Sequence, residues 1–239
     1  MKGLELIKKT MNMEMVERIP WVPFVGVHAG HLLGISATEY LHSAEKMVTG
    51  VNKAIKLYQP DGIPVMFDLQ VEAEALGCQL AWAEDNPPAV ISHPLAEGVK
   101  LSDLKVPAPT DGRIPMALEI TRQLRHQHKD LALYGLITGP FTLALHLYGT
   151  EIFMQMMVAP DETHQLLRFT TNVANAMASY YINAGADVVA IVDPMTSQID
   201  PFSFETFLSP YATEIFENIR KAGKLSSFFV CGNAKQNIE

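Results

Sequence analysis

Short, mainly apolar runs alternate with amphipathic stretches along the whole chain, and this alternation restricts the fold more than any other feature. The apolar runs are Trp21 to Val27, Ile63 to Leu69, Leu131 to Ile137, Asp187 to Val192 and Leu225 to Val230. Each has strand length and is rich in β-branched or aromatic residues, the pattern of a strand covered on both faces. The stretches Gly3 to Met15, Ser36 to Tyr58, Arg113 to Lys129, Thr142 to Met157, Pro160 to Ala184 and Ser203 to Ala222 read as helices. A strand–helix order repeated in this way predicts a parallel sheet wrapped by helices, an α/β fold.

The local punctuation agrees. Ser36 and Ser43 are available as helix N-caps, Pro60-Asp61-Gly62 is a turn signal, and Gly185 stands where a helix C-terminus needs glycine. The region from Cys78 to Pro109 is rich in Pro, Glu and Asp, and it predicts an elaborated loop with short strands. A further helix is predicted to begin at Ala234. With no internal repeat or linker, residues 1–239 are predicted to be a single domain. The architecture expected is a TIM (β/α)8-type barrel, which typically needs about 250 residues. Five predicted strands do not close eight, so the barrel is expected to be truncated after about five strands, leaving an apolar edge.

Composition excludes several function classes. Formal net charge is −8, which is not the broad positive field of a nucleic-acid-binding protein. The cluster Arg122, Arg125, His126, His128 and Lys129 reads as a solvated helix face. Two cysteines, Cys78 and Cys231, cannot build a disulfide framework, which favours a reducing compartment. The N-terminal lysines are followed by no long apolar run, and no stretch approaches the roughly 20 apolar residues of a membrane span. The expectation is a cytoplasmic protein without a nucleic-acid or membrane partner.

In parallel barrels the chemistry sits at the C-terminal ends of the strands. His28, Gly30 and His31 follow the first apolar run, and Asp68, Glu72 and Glu74 follow the second. Thr138, Gly139 and Thr142 follow the third, Asp193 the fourth, and Cys231 and Asn233 the fifth. Carboxylates set among apolar strand residues have raised pKa values and suit proton transfer, and a cysteine there is a candidate metal ligand or nucleophile. Structural readings stand beside these: Asp68 as a cap, Asp193 as a turn residue, Cys231 as core filler, and the two histidines as surface loop residues. Cys78 and the methionine pairs read as packing residues.

These same segments carry a family resemblance. Gly135-Leu136-Ile137-Thr138-Gly139-Pro140-Phe141-Thr142-Leu143 resembles the GPFTL signature of uroporphyrinogen decarboxylases. Phe67-Asp68-Leu69 with Glu74-Ala75-Leu76-Gly77 resembles that superfamily's Asp segment, Ala29-Gly30 the centre of its N-terminal RQAGR signature, and Val230-Cys231-Gly232-Asn233 its stretch after the fifth strand.

The resemblance implies one of two chemistries. One branch decarboxylates uroporphyrinogen without a cofactor, and here Asp68 would serve it. That branch grips substrate carboxylates through the two arginines of its signature, whose places are taken by Val27 and His31; a Tyr expected after GPFTL is His146. Valine cannot replace a bidentate, permanently charged guanidinium. The other branch moves a methyl group from a methylcorrinoid to a thiol, using zinc held by a His-x-Cys motif and a later Cys. Ala29 to Ser36, Asp68 to Gly77 and Glu84 to Pro94 resemble this branch. The motif's Cys is Cys231, but its His is Phe229, so zinc is expected only if His28, His31 or Glu72 substitutes.

The reading reached is a corrinoid-dependent methyltransferase. Asp68, Glu72 and Asp193 are its catalytic candidates, and Cys231 its metal ligand. His28, His31, Gly139, Thr142, His146 and Asn233 are expected to contact substrate. The partners expected are a corrinoid protein or free corrinoid and a small thiol acceptor, with a homodimer as the assembly. Uroporphyrinogen decarboxylation and non-catalytic corrinoid or tetrapyrrole binding are the alternatives.

Overall fold

A computed structural model of the protein describes residues 1–237. Its helices are α1 (Gly3–Met11), α2 (His28–Leu33), α3 (Ala37–Leu41), α4 (Ala44–Tyr58), α5 (Val71–Ala75), α6 (Ile114–Gln127), α7 (Pro140–Tyr148), α8 (Ile152–Val158), α9 (Pro160–Ala184), α10 (Pro201–Phe207) and α11 (Ser209–Lys221). Its strands are β1 (Gly62–Pro64), β2 (Leu80–Ala81), β3 (Ala89–Val90), β4 (Ala132–Thr138), β5 (Val188–Val192) and β6 (Leu225–Phe229). Single 3₁₀ turns cover Leu101–Asp103, Pro194–Gln198 and Lys235–Asn237, so the helix expected from Ala234 is one short turn within the described residues.

β1, β4, β5 and β6 form a four-stranded sheet in that order, and every pairing is parallel. Ile63 stands opposite Leu133, Tyr134 opposite Val188, and Val188 opposite Leu225. β2 and β3 pair antiparallel inside the predicted loop region. β1, β4 and β5 are buried along their whole length, as continuous apolar strands require, and the edge strand β6 is half-buried. Ala132, Tyr134, Leu136, Val188, Ala190 and Val192 face one side, where Ile7 of α1 and the rings of Phe24, Phe67 and Phe229 cover them. Leu133, Ile137, Val189 and Ile191 face the other side and pack with helix residues such as Leu118, Val173, Met177 and Ile215. Each such side chain contributes about 1.5–3 kcal/mol through burial.

The first predicted strand is absent. Trp21 to Val25 joins no ladder and Gly26-Val27 form a turn into α2, so the described sheet has four strands where five were predicted. Pro20 and Pro23 have no N–H to give a ladder. The backbone of Trp21 is spent on Asp61 instead: its N–H donates to the Asp61 carboxylate at 2.9 Å and its carbonyl accepts from the Asp61 N–H at 2.9 Å. Arg18 pairs with the same carboxylate at 2.6 Å, and this guanidinium holds the Asp61 carboxyl below its ordinary range. β1 is likewise shorter than the predicted Ile63 to Leu69 run, with Pro64 as its last ladder residue.

Three predicted helices are each two. Ser36 caps α3 by accepting from the Glu39 N–H, and Ser43 caps α4 by accepting from the Lys46 N–H, so both available caps are used. Gly149, at φ 79°, separates α7 from α8, and Leu208 separates α10 from α11. The basic cluster on α6 is not wholly a solvated face. Arg125 donates to the Asp187 carboxylate at 2.6 Å and to the Leu131 carbonyl at 2.8 Å, fastening α6 to the starts of β4 and β5. Among the described residues no helix is long and apolar enough to cross a membrane.

Candidate active site

Because the four sheet strands are parallel, their C-terminal ends gather at one side. The turn Gly139-Pro140-Phe141-Thr142 leaves β4 there and begins α7. Asp193, at the end of β5, is fully buried and lies across that turn. Its carboxylate accepts from the N–H of Phe141 at 3.0 Å, from the N–H of Thr142 at 2.9 Å and from the Thr142 hydroxyl. The free N–H groups of a helix start and its dipole favour an anion at this point. Burial pushes the Asp193 carboxyl up to about 6, and the hydrogen bonds from Thr142 and Phe141 oppose that shift. Gly139 is glycine because a Cβ there would lie 2.3 Å from the Asp193 side chain.

Glu72, in the first turn of α5, reaches the end of β4 from the other side. One carboxyl oxygen accepts from the Thr138 N–H at 2.9 Å, and the other lies 2.8 Å from the Thr138 hydroxyl oxygen. That hydroxyl also lies 2.8 Å from the carbonyl oxygen of Leu69. Burial pushes the Glu72 carboxyl up to about 7, with the nearby Asp68 charge adding to the rise.

Asp68 is the third buried carboxylate. It accepts from the Gln70 N–H at 2.9 Å and pairs with Arg113 at 2.5 Å. Arg113 also binds Glu74 at 2.6 Å and lies over the Trp82 ring at 4.8 Å, while its remaining terminal nitrogen is buried with no hydrogen-bond partner. Arg113 was not among the sequence-predicted site residues. The signal for it is electrostatic: a cation at the N-terminus of α6 opposes the helix dipole and needs a compensating partner.

A cleft of about 380 Å³ opens beside Asp68. One wall is Phe67, Asp68, Leu69 and Gln70; the other is the segment from Phe24 to His28, with His31 and Pro87 at the rim. The His28 Nε2 lies 2.7 Å from the Tyr58 hydroxyl, and His31 lies 3.7 Å from the Asp85 carboxylate. The structure therefore brings His28, His31 and Asp68 to one cleft. It sets Glu72, Asp193, Gly139 and Thr142 behind that wall, where none of them lines the cleft.

His146 and Asn233 also lie away from the cleft lining. The His146 carbonyl accepts from Cys78 at 3.4 Å and contacts the His93 ring at 2.8 Å. Burial, helped by His93, pushes the His146 imidazole down to about 4, so it is neutral at physiological pH. Asn233 is exposed and accepts from the Lys235 N–H at 3.3 Å.

Zinc does not fit the residues present. Among the described residues, no three His, Cys, Asp or Glu side chains are grouped so as to hold a metal ion. Cys231 is exposed, and what burial it has pushes its thiol up, away from the thiolate that a metal binds. Phe229 fills the place expected for a histidine ligand. Its ring stacks on Phe24 at 4.4 Å and meets Phe67 edge-on at 6.2 Å. Neither His28, His31 nor Glu72 is grouped with Cys231 as a substitute set.

Known proteins resemble this chain over nearly its whole length. The family described as "Uroporphyrinogen decarboxylase (URO-D)" matches residues 3–239. The methylcobamide:CoM methyltransferase MtbA of Methanosarcina acetivorans is 26% identical over 241 residues, covering 98% of this chain and 71% of the relative. A uroporphyrinogen decarboxylase of Nostoc sp. is 28% identical over 174 residues, covering 70% of this chain and 49% of the relative. Among solved structures, a methyltransferase from Methanosarcina mazei superposes with a TM-score of 0.90 at 25% identity, over 98% of this chain and 71% of that one. The chain belongs to the uroporphyrinogen decarboxylase (URO-D) family.

Proposed function

We propose that the cleft binds a methylcorrinoid and that the protein transfers its methyl group to a small thiol. The observation that carries this reading is the cleft lining. It is mostly apolar and, among the described residues, contains no Lys or Arg. The guanidinium of Arg113, which pairs with Asp68 of the lining, is already shared with Glu74. A polycarboxylate such as uroporphyrinogen needs bidentate guanidinium partners, and Val27 and His31 stand where the resemblance places them. A corrin carrying neutral side chains needs none. The names of the methyltransferase relatives point the same way.

The residues take the following parts. Phe24, Val25 and Phe67 exclude water from the methyl group, which raises the reactivity of a desolvated thiolate. His28 or His31, the imidazoles of the lining, accepts the thiol proton, since imidazole is the side chain suited to that exchange near neutral pH. The thiolate sulfur then forms a bond to the methyl carbon as the cobalt–carbon bond breaks, and that bond's electron pair stays with the cobalt of the corrinoid substrate. Asp68, paired with Arg113, holds the wall in place. Phe229, sealed in its aromatic cluster, favours a second reading in which the cleft binds a corrinoid without turnover.

Methylcobalamin, mixed anaerobically with the protein and a panel of thiols, tests this. The expected result is loss of the methylcobalamin absorption spectrum only when both protein and thiol are present. Corrinoid retained on the protein with an unchanged spectrum would establish the binding-only reading. Coproporphyrinogen formed from uroporphyrinogen would replace both with decarboxylation through Asp68.

A further inference from the structure

We propose that Glu72 is held as a neutral carboxylic acid that donates its proton to Thr138, and that this clasp fixes the Asp68 wall of the cleft. The inference comes from counting protons. The Thr138 hydroxyl oxygen lies 2.8 Å from the Leu69 carbonyl oxygen and 2.8 Å from a Glu72 carboxyl oxygen. A hydroxyl has one proton, and a carbonyl can only accept, so donation to Leu69 leaves a lone pair facing Glu72. Two oxygens at hydrogen-bond distance need a proton between them, and Glu72 is the group that can carry it. Every site is then matched: Thr138 N–H to Glu72, Glu72 O–H to Thr138, Thr138 O–H to Leu69.

The charges around Glu72 agree. Asp68 is the charged neighbour, and with Glu74 it already shares the single cation Arg113. An ionised Glu72 would add a third negative charge to one positive charge in a buried setting. From α9 the Tyr181 phenol faces the same cluster, and burial keeps it protonated. Burial also raises Glu72 itself to about 7. The mechanical consequence follows from sequence position. Leu69 and Glu72 flank Gln70 and Val71, and Asp68 precedes them, so the clasp ties this wall to the rigid end of β4. Glu72 is thus a positioning residue, acting through Asp68 and Gln70 without touching the cleft. The effect on ligand binding rests on the cleft reading above; the protonation state does not.

Two measurements on the full chain test this separately. Infrared difference spectra across about pH 7 are expected to show a protonated-carboxyl carbonyl band that disappears as pH rises and is missing in Glu72→Gln. Methylcobalamin affinity is expected to fall several-fold over the same rise in the unsubstituted protein, to be flat with pH in Glu72→Gln, and to be weak at every pH in Glu72→Ala. The amide of Glu72→Gln reproduces the neutral acid, donating to Thr138 and accepting from its N–H. Failure of that variant to fold, or an absent Glu72 band, would overturn the proposal, as would equal weakening by Gln and Ala. Should methylcobalamin not bind at all, the function proposed above fails while the infrared band still decides the state of Glu72.

Discussion

Asp193 and Glu72 are both buried, both touch the C-terminal end of β4, and are held by different sets of partners. Asp193 receives two backbone N–H groups and a hydroxyl at the start of α7. Glu72 receives one N–H and faces a hydroxyl already committed to Leu69. Burial pushes both carboxyls up, to about 6 and about 7. The contrast shows that the supply of donors, and not depth alone, decides whether a sealed acid keeps its charge. Asp193 anchors a turn as an anion, and Glu72 anchors a wall as an acid.

The largest effect is expected where the contrast is tightest. Gly139→Ala drives a methyl into the Asp193 side chain, where its Cβ would lie at 2.3 Å, and should cost about 3 kcal/mol in urea unfolding at the upper end of overpacking. Asp193→Asn should cost about 2 kcal/mol, because its NH₂ group faces donors and leaves at least one of them unpaired. A cost near zero would mean that Asp193 is not the anion described.

The smallest effect is the pH dependence of stability. Glu72 binds its proton more tightly folded, at about 7, than at its ordinary 4.5, so its contribution is full at low pH and is lost as pH rises through about 7. Asp193 has the same sign, but its window closes near 6. Between these two values Glu72 lowers stability by about 1 kcal/mol per pH unit, read as the difference in slope between the unsubstituted protein and Glu72→Gln, because Asp193 and the unfolded chain's His146 change protonation there in both. An identical slope in the variant would dissolve the distinction between the two acids.

Much of this arrangement is legible in the sequence, and the remainder fails for physical reasons. Buried strands β4 and β5 announce themselves as apolar runs, and Ser36 and Ser43 as caps, because both signals are local. Asp193 and Thr142 are visible as residues that follow strands, but their bond joins the start of α7 to the end of β5 and has no local trace. Trp21 to Val27 has the composition of a strand, yet its prolines and the pull of Asp61 keep it out of the ladder. Arg113 is hidden inside a helix prediction, and only its unfavourable place on the dipole marks it. Phe229 is an ordinary strand residue by pattern; that its ring closes against Phe24 is a property of the assembled sheet.

That last contact has a kinetic consequence. Phe24 lies near the beginning of the chain, and Phe229 ends the last strand described. Bringing them together closes a loop across most of the described residues, and contacts of such separation reward folding only after the intervening elements are in place. The sheet centre and its helices assemble from nearer neighbours. The stacking of Phe24 on Phe229 is therefore expected to form late, whereas the same wall's contacts with Phe67 and Tyr58 close much shorter loops.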